Sequence, residues 1–152
     1  MSDYQRTTRI CTLAELPASL GAALTQRAQD LGVKELSQQV LLCAETISIK
    51  KKRTGFIQRL LGGDPDINHI TGIVVTSQYL IWGHEGEKRG ITVLSAKLNE
   101  VRVTPFTSTL VPDSGLEIFG FISGVSEKVQ AFIGVGEGAA ADQLRQIIAQ
   151  LT

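Results

Sequence analysis

The chain has 152 residues, a length that suits one domain or one domain with a helical extension. Apolar residues make up 43% and charged residues 20%, which is typical of a globular protein and excludes a disordered one. Fifteen basic and fifteen acidic side chains cancel, so the overall charge does not favour binding to nucleic acid.

The N-terminus and the cysteines indicate the compartment. The first residues lack the apolar segment of a secretory signal, and the longest apolar run, Val40–Ala44, is too short to span a bilayer. Cys11 and Cys43 are too few for a disulfide framework, and no metal-ligand spacing surrounds them. These features predict a soluble cytoplasmic protein in a reducing environment.

Residues 1–39 are predicted to form an N-terminal helical extension. Thr12 and Glu15 have the spacing of a capping box, Pro17 favours a helix start at that point instead, and Gly32 suits a helix end. Apolar residues recur every three or four positions, at Leu13, Leu16, Leu20, Leu24, Ala28 and Leu31. This stripe must pack on the rest of the chain or on another molecule, such as a second copy in a homodimer.

Residues 40–152 are predicted to form one mainly β domain. Short strands are expected at about 46–50, 69–76, 79–84, 91–98, 100–106, 116–122 and 128–135. Strands in immediate succession pair antiparallel, since no crossover helices lie between them. An amphipathic helix follows, with apolar residues at Leu144, Ile147, Ile148 and Leu151. We therefore expect a seven-stranded antiparallel barrel, in an α+β arrangement, with the C-terminal helix capping its open end.

Two segments carry a resemblance to a known family. Gly72–Ile81 resembles the hairpin between the second and third strands of the pleckstrin-homology superfold, which includes GRAM and bacterial PH-like domains. Ile91–Val101 resembles the fourth strand of that fold and the turn into the fifth. The resemblance implies a PH-like domain over residues 40–152.

One segment, Lys50–Gly63, combines cations with apolar residues. Its candidate binding residues are Lys50, Lys51, Lys52, Arg53, Phe56, Ile57, Arg59, Leu60 and Leu61. Cations beside an apolar wedge bind anionic bilayers, at ~1 kcal/mol per cation near the surface. In the resembling fold the segment is the first interstrand loop, where lipid-binding members contact headgroups. The alternative is a solvated charge run followed by a buried turn.

Other chemically suggestive residues favour structural roles. His69 and His84 flank one predicted hairpin and are expected to approach each other, but two imidazoles alone do not form a metal site. Neither cysteine has a histidine near it in sequence to activate it as a nucleophile. Tyr79 and Trp82 lie an odd number of residues apart on one strand, which predicts opposite faces, one in the core. The sequence predicts no catalytic residue, cofactor or metal.

These patterns favour a non-catalytic binding or adaptor module over an enzyme. We expect a protein partner, held at a sheet edge, at the basic loop or at the N-terminal helix. The alternative is a peripheral membrane module that uses Lys50–Leu61 on anionic lipid. Nucleic acid is not expected as a partner, because no interleaving of aromatic and basic residues is present.

Overall fold

The computed structural model describes residues 4–50, 68–106 and 113–152. Within these ranges, eight strands form two antiparallel sheets. The five-stranded sheet has the order β1 (Tyr4–Ile10), β2 (Leu42–Lys50), β3 (Asn68–Val75), β4 (Tyr79–Gly86) and β5 (Gly90–Lys97). The three-stranded sheet has the order β6 (Val101–Pro105), β7 (Gly115–Gly120) and β8 (Val129–Gly134).

Three α-helices accompany the sheets in the described ranges: α1 (Ala18–Asp30), α2 (Leu36–Gln39) and α3 (Ala139–Leu151). Short 3-10 helices occupy Leu13–Glu15 and Leu98–Glu100. No helix in the described part of the chain is both long enough and apolar enough to cross a membrane. The mainly β character, the antiparallel pairing and the C-terminal helix are confirmed.

The predicted seven-stranded barrel does not match this architecture. The seven expected strands correspond to β2–β8, but β1 adds an eighth, and the described strands form two sheets and no closed barrel. The sequence of β1, YQRTTRI, has polar residues on both faces, so the alternation that reveals a half-buried strand is missing. Backbone pairing with β2 along Tyr4–Ile10 holds this segment as a strand, although its side-chain pattern does not predict one.

The predicted helical extension over residues 1–39 is also corrected. The segment begins with a strand of the main sheet, and α1 starts only after Pro17, which precedes the first helical residue. Gly32 has φ = +83° and ends the helix, while the Val33 amide donates to the Ala28 carbonyl at 2.8 Å. The helix α1 therefore covers only the middle part of the apolar stripe. The strand β1 precedes it in the chain, and a loop follows it.

The five-stranded sheet is covered on both faces. Its first face packs on α1, in a cluster formed by Leu16, Leu20, Leu24, Ala28, Leu36, Cys43, Val74 and Ile81. Its second face packs on the three-stranded sheet and α3. That larger core contains Leu42, Ala44, Ile73, Val75, Leu80, Trp82, Ala96, Leu98, Leu116, Ile118, Ile122, Ile133, Val135, Ala141, Leu144 and Ile148.

Two glycines let α1 approach the sheet closely. Gly72 on β3 and Gly83 on β4 are paired in register. A Cβ at Gly72 would lie 3.0 Å from Leu24 Cδ1, and one at Gly83 would lie 3.0 Å from Leu20 Cδ1. The missing side chains therefore leave a shallow channel that the helix leucines fill.

Candidate functional site

Of the candidate binding residues in the basic and apolar segment, the structure describes one. Lys50 is half-buried at the end of β2. The other candidates, Lys51, Lys52, Arg53, Phe56, Ile57, Arg59, Leu60 and Leu61, lie outside the described residues. On the strand leading to them, Ile47 and Ile49 share one face and are 39% and 46% exposed. An exposed apolar ridge therefore ends beside the first cation.

A band of polar side chains crosses the sheet face that is opposite α1. The register places Thr8, Thr46, Thr71, His84 and Thr92 in one row across the five strands. Two of these threonines share a hydrogen bond: Thr8 Oγ1 lies 2.7 Å from Thr46 Oγ1. The band marks one end of the space between the sheets, and the apolar core fills the rest.

His84 is the titratable group at the centre of this band. Its Nδ1 lies 2.8 Å from Thr71 Oγ1, and the two groups share a hydrogen bond. The His69 and His84 ring centroids are 6.1 Å apart, which confirms the predicted approach. Burial, helped by the nearby His69 and Arg6 charges, lowers the pKa of His84 to about 4. His84 is therefore neutral at pH 7.

The Thr71 and His84 pair has the separation of a nucleophile and its general base. Thr71 is fully buried, so no substrate carbonyl or phosphoryl group reaches its hydroxyl. An imidazole with a pKa of about 4 is also a weak base at neutral pH. Both features favour packing and hydrogen bonding as the role of this pair. Among the described side chains, no group of three or more His, Cys, Asp or Glu is arranged to hold a metal ion.

Two adjoining clefts lie beside Leu31 and Tyr79. The larger cleft has a volume of about 420 Å³ and lies between the end of β5 and the loop after β7. The smaller cleft has a volume of about 350 Å³ and lies between the end of α1 and the turn before β4. Leu31 and Tyr79 line both, so the two clefts share one wall. We call them the paired clefts.

The two clefts differ in character, because the lining of the larger one is mainly apolar and the lining of the smaller one is mainly polar. Lys97, Glu100 and Ser123 line the larger cleft, and Lys34 lines the smaller one. Val125 stands at the rim of the larger cleft and is 44% exposed. The mainly apolar wall of the larger cleft, with a few charged and hydroxyl groups, is typical of a binding site.

A strained turn forms one wall of the larger cleft. Ser123 has φ = +52° and Gly124 has φ = +74°, and the Val125 amide donates to the Ile122 carbonyl at 3.2 Å. A non-glycine residue in this conformation costs free energy and is held by its surroundings. Here Ser123 accepts a hydrogen bond through Oγ from the Ser95 amide, at 3.2 Å, which fixes the turn to β5.

Tyr79 shows what sequence reasoning found and missed. Trp82 is fully buried in the core between the sheets, and Tyr79 is half-buried on the α1 side, so the predicted opposite faces are confirmed. The role of Tyr79 as the shared wall of two clefts has no sequence signal. It depends on the end of α1 and the loop after β7 meeting at this residue.

The two cysteines are the second feature that the sequence did not reveal. They are 32 positions apart in the chain, yet Cys11 Sγ lies 3.8 Å from Cys43 Sγ. Their contact follows from the pairing of β1 with β2. Because β1 was not predicted, no pattern in the sequence indicated that the two thiols are in contact.

No family model matches the chain, and no curated protein or solved structure matches it.

Proposed function

We propose that this protein is a non-catalytic binding module that holds a protein partner in the paired clefts. The observation that carries this proposal is that Leu31 and Tyr79 line both clefts, which places the two concave surfaces side by side. A mainly apolar cleft beside a mainly polar one suits a peptide segment that carries apolar and polar side chains in succession.

The edge of the main sheet adjoins the larger cleft. β5 is the outermost strand of the five-stranded sheet, and its last residues, Ser95–Lys97, line the larger cleft. Ile91, near the start of the same strand, is 36% exposed. A partner strand that paired with the start of β5, around Ile91, would therefore lead toward the larger cleft, past the Val93 carbonyl, which already accepts a hydrogen bond from Arg27 Nη2 at 3.0 Å.

The PH-like fold belongs to the same proposal. Seven consecutive strands, β2–β8, in two antiparallel sheets and followed by α3, support this relationship. The extra strand β1 and the helix α1 are additions to that arrangement. Since a fold does not determine function, the proposed site rests on the paired clefts themselves.

The test compares two exposed valines. Val125→Glu puts a charge at the rim of the larger cleft, whereas Val129→Glu puts the same charge on β8, where Val129 is 39% exposed. Proteins that bind the wild-type chain in a pull-down are purified and measured by titration calorimetry. We expect a partner whose dissociation constant rises at least tenfold with Val125→Glu and changes less than twofold with Val129→Glu. Equal effects of the two substitutions would contradict the proposal.

A second candidate function is contact with an anionic membrane. The exposed Ile47 and Ile49 support it, since they form an apolar ridge on the strand that ends at Lys50. The sequence continues from there with Lys51, Lys52 and Arg53. Apolar side chains beside cations are the combination that binds acidic lipid surfaces.

Vesicle co-sedimentation separates the two functions. Phosphatidylcholine vesicles with phosphatidylserine should retain the protein at low salt, and vesicles without it should not. The double substitution of Ile47 and Ile49 by Ser should release the protein. Phe119→Ser, which removes another exposed apolar side chain, is the control. Absence of binding to anionic vesicles would exclude the membrane function and leave the proposed peptide binding unaffected.

A further inference from the structure

Cys11 and Cys43 face each other across the first two strands. The register of β1 and β2 pairs Ile10 with Ala44, and Cys11 and Cys43 follow as the next opposed pair. The Cys11 amide donates to the Cys43 carbonyl at 3.0 Å, which continues the pairing by one residue. Both thiols are free, with Cys11 partly exposed and Cys43 buried.

The geometry suits a covalent bond between the sulfurs. Opposed residues of antiparallel strands have Cα atoms roughly 4.5–5.5 Å apart, within the range that a disulfide spans. The Sγ atoms, now 3.8 Å apart, would need to approach by roughly 1.8 Å. We propose that Cys11 and Cys43 are an oxidisable dithiol, which a small-molecule disulfide such as oxidised glutathione converts into an intramolecular cross-strand disulfide.

The reaction is a pair of thiol–disulfide exchanges. The more exposed Cys11, as thiolate, attacks one sulfur of the small disulfide, breaks its S–S bond and releases one small thiol. Cys43 then loses its proton and attacks Cys11 Sγ, which forms the protein disulfide and releases the second small thiol. Two electrons pass from the cysteine sulfurs to the oxidant, and the two protons from the cysteines end on the released thiols.

The surroundings set the rate of this exchange. Burial raises the pKa of both thiols above the usual range, so little thiolate is present at pH 7. Arg9 on β1 opposes this effect at Cys11, while Glu45 on β2 and Glu15 in the first 3-10 helix reinforce it. Oxidation should therefore be slow at neutral pH and faster as the pH rises.

The disulfide would change the stability of the protein. It would close a loop that contains α1 and α2, and a closed loop limits the freedom of the unfolded chain. The oxidised protein should therefore unfold at a higher denaturant concentration than the reduced one. Dithiothreitol should reverse the difference.

The experiment follows the mass and the thiol content of the full chain. The folded protein is incubated with excess oxidised glutathione, denatured, and treated with a maleimide. We expect a monomer that has lost the mass of two hydrogen atoms and that does not react with maleimide. The mixed disulfide between Cys11 and glutathione should not accumulate in the folded chain, because folding holds the Cys43 thiol against Cys11.

Three outcomes would overturn the proposal: two thiols still reactive after incubation, a stable adduct with glutathione, or a disulfide-linked dimer. Cys11→Ser and Cys43→Ala are the matched variants, and neither should form the product that lacks two hydrogen atoms. Because Cys43 is buried, Cys11→Ser keeps the test valid if Cys43→Ala does not fold. In wild type the midpoint of urea unfolding should rise on oxidation, and in Cys11→Ser it should stay unchanged.

Discussion

Arg6 lies where the two sheets meet, and its side chain contacts both. The guanidinium donates to Asp113 through Nε and Nη2, at 3.1 and 2.9 Å, and to Ser48 Oγ through Nη1, at 2.7 Å. It also lies over the Tyr4 and Phe132 rings, 4.9 and 5.7 Å from their centroids. A bidentate, nearly buried ion pair thus connects β1 to the segment before β7.

The first prediction concerns this ion pair. Asp113→Ala leaves the Arg6 guanidinium, which is 7% exposed, without its carboxylate. Loss of one partner of a buried pair should lower the free energy of unfolding by about 3 kcal/mol, as measured by urea denaturation.

The control is the exposed pair of Asp142 and Arg145, whose Asp142 side chain is 77% exposed. Asp142→Ala should change the free energy of unfolding by about 0.5 kcal/mol or less. If the two alanine variants were equally stable, the structural role given to Arg6 would be wrong.

The second prediction follows from the lowered pKa of His84. In the unfolded chain the imidazole takes a proton near pH 6.5, whereas in the folded protein the pKa of His84 is about 4. The neutral form stabilises the fold above pH 6.5, and this contribution is lost as the pH falls toward 4. Between pH 7.5 and about pH 4.5 the loss should amount to about 2 kcal/mol.

Urea denaturation of wild type and His84→Gln at both pH values isolates this contribution. Wild type should lose more stability on acidification than the variant does, by the amount given above. The comparison removes the contribution of the carboxylates, which titrate in both proteins. An identical loss in the two proteins would show that His84 does not titrate as described.

At the scale of elements, the apolar stripe of α1 packs on the five-stranded sheet of the same chain. Leu20 and Leu24 are completely buried against the channel that Gly72 and Gly83 leave in the sheet. The stripe therefore packs on its own chain, which was one of the two alternatives open from the sequence. A homodimer through this helix stays a prediction, and it would have to use the exposed face of α1.

The third prediction tests this packing. Leu20→Ala should lower the free energy of unfolding by about 3 kcal/mol, because it removes buried methyl groups and leaves a cavity beside two glycines. Gln29→Ala, at an exposed position of the same helix, should have little effect. Chemical denaturation measures both. A small loss for Leu20→Ala would mean that the helix packs only loosely.

At the scale of the whole molecule, hydrogen bonds join the two sheets at both margins. On the β1 side, the Gly136 amide donates to Thr8 Oγ1 at 2.8 Å, next to the Arg6 ion pair. On the β5 side, the Ser123 amide donates to the Ser95 carbonyl at 2.7 Å. The core therefore lies between sheets whose edges are tied together, and the paired clefts lie outside the second margin.

The fourth prediction concerns the first margin. A chain without residues 1–10 loses β1, and it leaves the edge of β2 unpaired. We expect loss of the cooperative urea transition and aggregation in size-exclusion chromatography. Gln5→Ala, an exposed change within β1, should leave both measurements as in wild type. A monomeric, cooperatively folded truncated chain would show that β1 is not needed.

The sequence by itself determined the strands and helices in which apolar residues recur with a clear period. Seven strands, the end of α1 at Gly32 and the C-terminal helix follow from alternation, turn residues and capping, which act between neighbours in the chain. The strand β1 has no such pattern, because its order comes from pairing with β2.

Only the tertiary structure decided where the candidate sites lie. The paired clefts at Tyr79, the contact of Cys11 with Cys43 and the lowered pKa of His84 each need residues from distant parts of the chain. Such contacts depend on how sheets and helices pack, and packing is not encoded in the spacing of residues along one element. For this reason the sequence located strands and helices well, and it located the sites poorly.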